Sequence, residues 1–147
     1  MLLNTASAVI SFLTKLEEET AKFYEKLAQK YPEARETFTF FSKDNRKNKI
    51  SLERAYYGVI TDALEACFSF KEGLNPEAYA IKTEIGEGAT YLDALKATLE
   101  IEENIRKVYI DAAVLSESLM ADVPQTLKKI ANKRDERIAK LKSLIKV

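Results

Sequence analysis

LTKLEEETAKFY, residues 13–24, is the stretch that decides the fold. A helix brings every third or fourth residue to one face. That face reads Ile10, Leu13, Glu17, Tyr24 and Leu27, so a carboxylate stands in the middle of an apolar stripe. The arrangement returns in ALKATLEIEENIRKVY, residues 94–109, where the stripe is Leu95, Leu99, Glu102, Ile105, Tyr109 and Ala112. Glu17-x6-Tyr24 and Glu102-x6-Tyr109 are one motif written twice, 85 positions apart.

Working outward, the first helix is expected from about Thr5 to Lys30, where Tyr31-Pro32 breaks it. Pro32 suits the first turn of a second helix, which periodicity carries from about Glu33 to Phe68. The stripe of that helix is Phe38, Phe41, Asn45, Asn48, Leu52, Tyr56 and Val59. Gly73, Asn75-Pro76, Gly86 and Gly88 mark a linker, with Pro76 placed to open a short helix inside it. Thr90 and Asp93 form a capping box for the third helix, with Asp in place of Glu. Asp122-Val123-Pro124 starts the fourth, whose stripe is Leu127, Ile130, Arg134, Arg137, Leu141 and Leu144.

The links are unequal. Short first and third links make two antiparallel hairpins. The second, about 20 residues at ~3.3 Å each, can span a whole bundle. The expected fold is therefore all-α: a four-helix bundle over residues 1–147, with one long crossover between helices 2 and 3. A second repeat supports two related hairpins. Phe41-x3-Asn45-x2-Asn48-x3-Leu52 returns as Ile130-x3-Arg134-x2-Arg137-x3-Leu141, 89 positions on.

Every stripe is thus interrupted by polar groups: Glu17, the Asn45/Asn48 pair, Glu102, and the Arg134/Arg137 pair. A three-residue step keeps each pair on one face. Polar groups at that depth are costly without partners. They could sit at the stripe's edge and reach water, but interruptions at matching depth in four helices point to one shared central layer.

At these residues the chain resembles the ferritin-like, rubrerythrin-type di-iron proteins. In that family two helices give one Glu each, and the other two give Glu-x-x-His. Glu17 and Glu102 match the single ligands through LTKLEEETAKFY and ALKATLEIEENIRKVY. The Glu-x-x-His positions fall on Asn45-x-x-Asn48 and Arg134-x-x-Arg137, so all four are substituted. The six are vestigial site positions, with no catalytic or metal-ligating set among them. Asn is a weak neutral donor, and Arg has no lone pair to offer. Two Glu against two Arg make a neutral layer, with guanidinium groups where the resemblance puts iron. The expectation is a non-catalytic structural or interaction module without a cofactor, in which Arg134 and Arg137 turn inward to bond Glu17 and Glu102 while Asn45 and Asn48 complete the hydrogen bonds. The rival is an iron-handling oxidoreductase built on Glu17 and Glu102 with Asp44, Asp135 or Glu136. Those three lie off the inward stripe.

Composition narrows the remaining classes. The chain has 23 basic and 23 acidic residues and no His, so no global field favours nucleic acid or an anionic membrane, and the commonest general base is missing. No apolar run is long enough to span a bilayer, and no basic region precedes the N-terminal apolar segment, so a cytoplasmic location is expected. The single Cys67 cannot form an internal disulfide and reads as a small buried residue, with a redox thiol as the alternative. Residues 128–147 carry eight basic and two acidic side chains, and 72–103 carry eight acidic and two basic. Such runs are usually solvated faces; the sharper reading is a dock for an acidic protein partner at the basic C-terminal helix, and a homodimer is a separate expectation for the module. Tyr56-Tyr57 and FTFF at 38–41 read as core and groove packing.

Overall fold

The computed structural model describes residues 2–60, 69–117 and 122–146. Among these residues lie four long helices: α1 Ala6–Lys30, α2 Arg35–Ile60, α3 Tyr91–Ser116 and α4 Asp122–Lys146. Each has 25 or 26 residues, about 38 Å of helix. Cys67, and the stretch of the second helix expected to reach Phe68, lie outside the described residues, as does the Val59 side chain.

The boundaries follow from local chemistry. Thr5 caps α1 by accepting from the Ala8 N–H at 3.1 Å. Pro32 opens a single 3₁₀ turn, Pro32–Ala34, which leads into α2. The Thr90 hydroxyl accepts from the Asp93 N–H at 3.1 Å, and the Asp93 carboxylate accepts from the Thr90 N–H at 3.0 Å, closing the expected capping box. The bond from the Thr90 N–H, and then the Thr90 hydroxyl beside the carboxylate, hold the Asp93 carboxyl below its usual range. Pro124 sits in the first turn of α4, where its missing N–H costs nothing.

The chain is all-α in the main, with one short strand pair added to the helices. Leu3–Thr5 (β1) and Ser69–Leu74 (β2) pair antiparallel, Leu3 opposite Leu74 and Thr5 opposite Ser69, with an irregular register between. Gly73 is needed there, because a Cβ would come within 2.8 Å of Leu2 Cβ. After β2, Asn75 caps a 3₁₀ turn, Pro76–Tyr79, as its proline suggested. The Tyr79 hydroxyl donates to Asp111 on α3 at 2.6 Å, and the Tyr31 hydroxyl donates to the Ala89 carbonyl at 2.7 Å. These bonds fasten the linker to α3 and to the turn after α1.

α1 packs chiefly on α2 and α3 on α4, while α2 also meets α4. One continuous set of buried side chains draws on all four helices, from Ala6 to Leu141. Tyr24, Phe38 and Phe41 meet at its aromatic end, with ring centroids 5.7–6.2 Å apart. Phe38 and Phe41 are core, as read from the sequence; Phe40 between them is 62% exposed, and Tyr57 also faces out. No helix among the described residues is long and apolar enough to cross a membrane.

Candidate functional site

All six polar interruptions are buried at the centre of the bundle, and none is more than 3% exposed. Helical spacing puts them there, since each shares a face with core residues one turn away: Glu17 with Leu13, Asn48 with Leu52, Glu102 with Ile105, and Arg137 with Leu141.

Arg134 is the hub. Its Nη1 donates to Glu17 Oε2 at 2.7 Å and its Nη2 to Glu17 Oε1 at 3.1 Å, a two-pronged contact. Its Nε donates to Glu102 Oε1 at 3.2 Å, and Nη2 also reaches Asn45 Oδ1 at 3.3 Å. One guanidinium therefore bridges carboxylates from both hairpins. Arg137 Nη1 adds a second donor to Glu102 Oε1 at 3.1 Å. Asn45 Nδ2 donates to Thr20 Oγ1 at 2.7 Å and to the Glu17 carbonyl at 3.2 Å, and Asn48 Nδ2 completes the set at Glu17 Oε1, 3.4 Å away.

The tyrosines of the repeated motif have a role that was not read from the sequence. Each donates to the glutamate of the other hairpin: Tyr24 Oη to Glu102 Oε2 at 2.7 Å, and Tyr109 Oη to Glu17 Oε2 at 2.6 Å. Seven residues are two helical turns, so each Tyr shares a face with its own Glu. The crossed pairing follows from α1 and α3 running in opposite directions.

Two further residues extend the layer to the surface. Asp44, 12% exposed, accepts from Arg137 Nη2 at 2.8 Å and pairs with Lys133 Nζ at 2.9 Å. Lys133 Nζ also donates to Asn48 Oδ1 at 2.6 Å. Asp44 was expected to point sideways; it is instead the outer member of the layer, reached by two long cations from α4. Asp135 does point away, pairing with Arg106, and Glu136 is exposed. The burial of Arg134 and Arg137 also removes any reading that needs them on a solvent-facing basic helix.

The electrostatics follow from this geometry. Burial alone would raise the Glu102 carboxyl, but the Arg134 and Arg137 guanidinium groups outweigh it and hold the group below its ordinary range. Burial likewise opposes the charge on Arg134, and the Glu17 and Glu102 carboxylates more than offset that. Desolvation, then the charge of the facing glutamate, pushes the phenols of Tyr24 and Tyr109 well above the usual value, so both stay neutral donors. Burial also acts to raise the Asp44 carboxyl; hydrogen bonds from Lys133 and Arg137 reverse that and lower it.

The donor set does not fit a di-iron centre. All four carboxylate oxygens of Glu17 and Glu102 already accept from guanidinium N–H or phenol O–H groups. The guanidinium groups offer no lone pair in return. Among the described residues, no group of three or more His, Cys, Asp and Glu side chains is placed to hold a metal ion. No protein-family model, no curated protein and no solved structure matches this chain.

Proposed function

We propose that the chain is a ferritin-like bundle of the rubrerythrin type whose metal pair has been replaced by ion pairs, and that it works as a structural or interaction module. The observation that carries this reading is Arg134, which bonds Glu17 and Glu102 together at the point where the resemblance places iron. The crossover is supported by residue pairings. On α2, Asn48 meets Glu17 while Arg46 meets Glu25, so α1 and α2 are antiparallel. The crossed tyrosines make α1 and α3 antiparallel as well. α2 and α3 then share a direction, the relation that a long crossover produces.

A module of this kind keeps its centre inert and acts through its surface. The exposed lysines of α4 (Lys128, Lys129, Lys140, Lys142 and Lys146) favour an acidic protein partner. The iron-handling alternative would need Glu17 and Glu102 to release Arg134, leaving a buried cation without its anions. The deciding experiment is anaerobic incubation with ferrous iron, followed by dialysis, metal analysis and thermal unfolding. We expect metal far below one equivalent per chain and an unchanged melting temperature. Iron retained near about two equivalents, the stoichiometry of a di-iron centre, with a stabilised fold, would refute the reading.

A further inference from the structure

The outer faces of α2 and α3 carry two seams that the bundle itself does not use. On α2 exposed residues recur at positions 36, 40, 43, 47, 50, 54 and 57, and on α3 at 96, 100, 103, 107, 110, 114 and 117. Both sets alternate steps of four and three, the 3.5-residue repeat along which one helix lies on another. Each covers 22 residues, about 33 Å of helix. Five of the seven exposed large apolar side chains among the described residues stand on these lines: Phe40, Ile50 and Tyr57 on α2, Ile110 and Val114 on α3. Scattered singly such residues would mean little; aligned on helical seams they are the signal of a contact surface.

Charge decides what fits them. The α2 seam carries Lys43, Lys47 and Arg54 against Glu36, a net +2; the α3 seam carries Glu100, Glu103 and Glu117 against Lys96 and Lys107, a net −1. Among the described residues Lys43, Lys47, Arg54, Glu100 and Glu103 have no ion pair. The seams do not meet within one chain, because α2 packs on α1 and α4, α3 packs on α4 and α1, and the two stand at opposite corners of the bundle. We propose that the α2 seam of one copy lies parallel along the α3 seam of a second copy, at a constant offset of 60 positions. Glu36 then meets Lys96, Lys43 meets Glu103 and Ile50 meets Ile110, while Arg54 lies one step from Glu117. Lys47 and Lys107 form the one like-charged layer, with Glu103 a step away. Reversing the direction sets Glu36 against Glu117 and keeps Lys47 against Lys107. A two-fold pairing of α2 with itself puts Lys47 on Lys47 and offers no opposite charge; α3 with itself puts Lys107 on Lys107 and Ile110 on Glu103. The parallel mixed contact is heterologous, so each added copy leaves one seam of each kind open. It uses faces distinct from the α4 lysines and stands without that reading.

Analytical ultracentrifugation of the full chain tests this. The mass should rise from 16.7 kDa, and past twice that value, as concentration approaches about 1 mM. Lys43→Glu and Glu103→Lys, both at exposed positions, should each weaken self-association about tenfold or more, because each sets like charges in one layer. Mixed in equal amounts, the two variants should regain native association, because the reversals face each other at one contact and the native pair stands at the next. That recovery also shows that both variants are folded. A mass of 16.7 kDa at every concentration refutes the proposal, and so does a mass that levels at twice that value, as a closed dimer gives. Loss with only one of the two reversals would put that helix on its own copy. A mixture no better than its components would place the contact elsewhere.

Discussion

Replacing Arg134 with alanine removes four N–H···O contacts at once: two to Glu17, one to Glu102 and one to Asn45. It also leaves one net negative charge in a layer where Glu17, Glu102 and Arg134 have no exposure. Stranding a buried charge in this way costs about 3–5 kcal/mol. For a chain of 147 residues that corresponds to a melting temperature lower by roughly 10–16 °C. The pH dependence is the sharper test. In the native protein Glu102 is held below its unfolded pKa, so its contribution is present above the unfolded value, about 4.3, and is lost as pH falls through the depressed folded value. In the variant the unbalanced layer binds a proton that the unfolded chain does not hold at neutral pH. Stability should then fall as pH rises from about 5 to 8, by up to ~1.4 kcal/mol per unit. Urea unfolding followed by far-UV circular dichroism across that range measures both effects, with Lys146→Ala as a surface control expected to lose well under about 1 kcal/mol. If Arg134→Ala matches that control, or shows no inverted pH slope, the layer does not carry the charge balance assigned to it.

The crossed tyrosines make a second prediction. Tyr24→Phe and Tyr109→Phe should each cost about 1.5–3 kcal/mol in the same assay, the range for a hydrogen bond to a charged group, and a loss below ~0.5 kcal/mol in both would deny them a role. Because both phenols are raised in the folded state, their contribution is complete below the unfolded value of about 10 and is lost as pH rises above it. Phenolate absorbance from these two residues should therefore appear only with unfolding. Finally, Ala80 sits in the left-handed region with φ 49°, so Ala80→Gly should stabilise the chain by up to about 1 kcal/mol, and a destabilised variant would show that the strain is absent.

The central layer was legible because 3.6-residue periodicity exposes a polar residue on an apolar stripe, and all six interruptions fell on such stripes. Asp44 and Lys133 escaped that logic. Each lies one position from a stripe residue, Asn45 or Arg134, and joins the layer because Lys133 and Arg137 can reach across the α2–α4 groove. The Glu-x6-Tyr repeat was visible, but not which glutamate each tyrosine serves, because that depends on how the two hairpins dock. The β1–β2 pair was hidden for a different reason. Leu3–Thr5 is too short to show alternation, and its partner begins more than sixty residues away. The Thr90–Asp93 capping box, Pro76 and Pro124, which depend only on neighbours, stand where the sequence puts them, while Pro32 opens a separate 3₁₀ turn and α2 begins only at Arg35.

The unequal division of charge between the hairpins limits how the halves can associate. The first hairpin brings Glu17 and Asp44 to the layer, a charge of −2; the second brings Lys133, Arg134 and Arg137 against Glu102, a charge of +2. Two copies of the first hairpin would bring −4 to the layer and two of the second +4, while one of each brings zero. Self-pairing is therefore penalised in both directions, and only the mixed pair is neutral. A repeat that began as two interchangeable halves would by this asymmetry acquire a lock and a key. Were hairpins exchanged between two chains, the same rule would hold, with a first hairpin neutral only against a second.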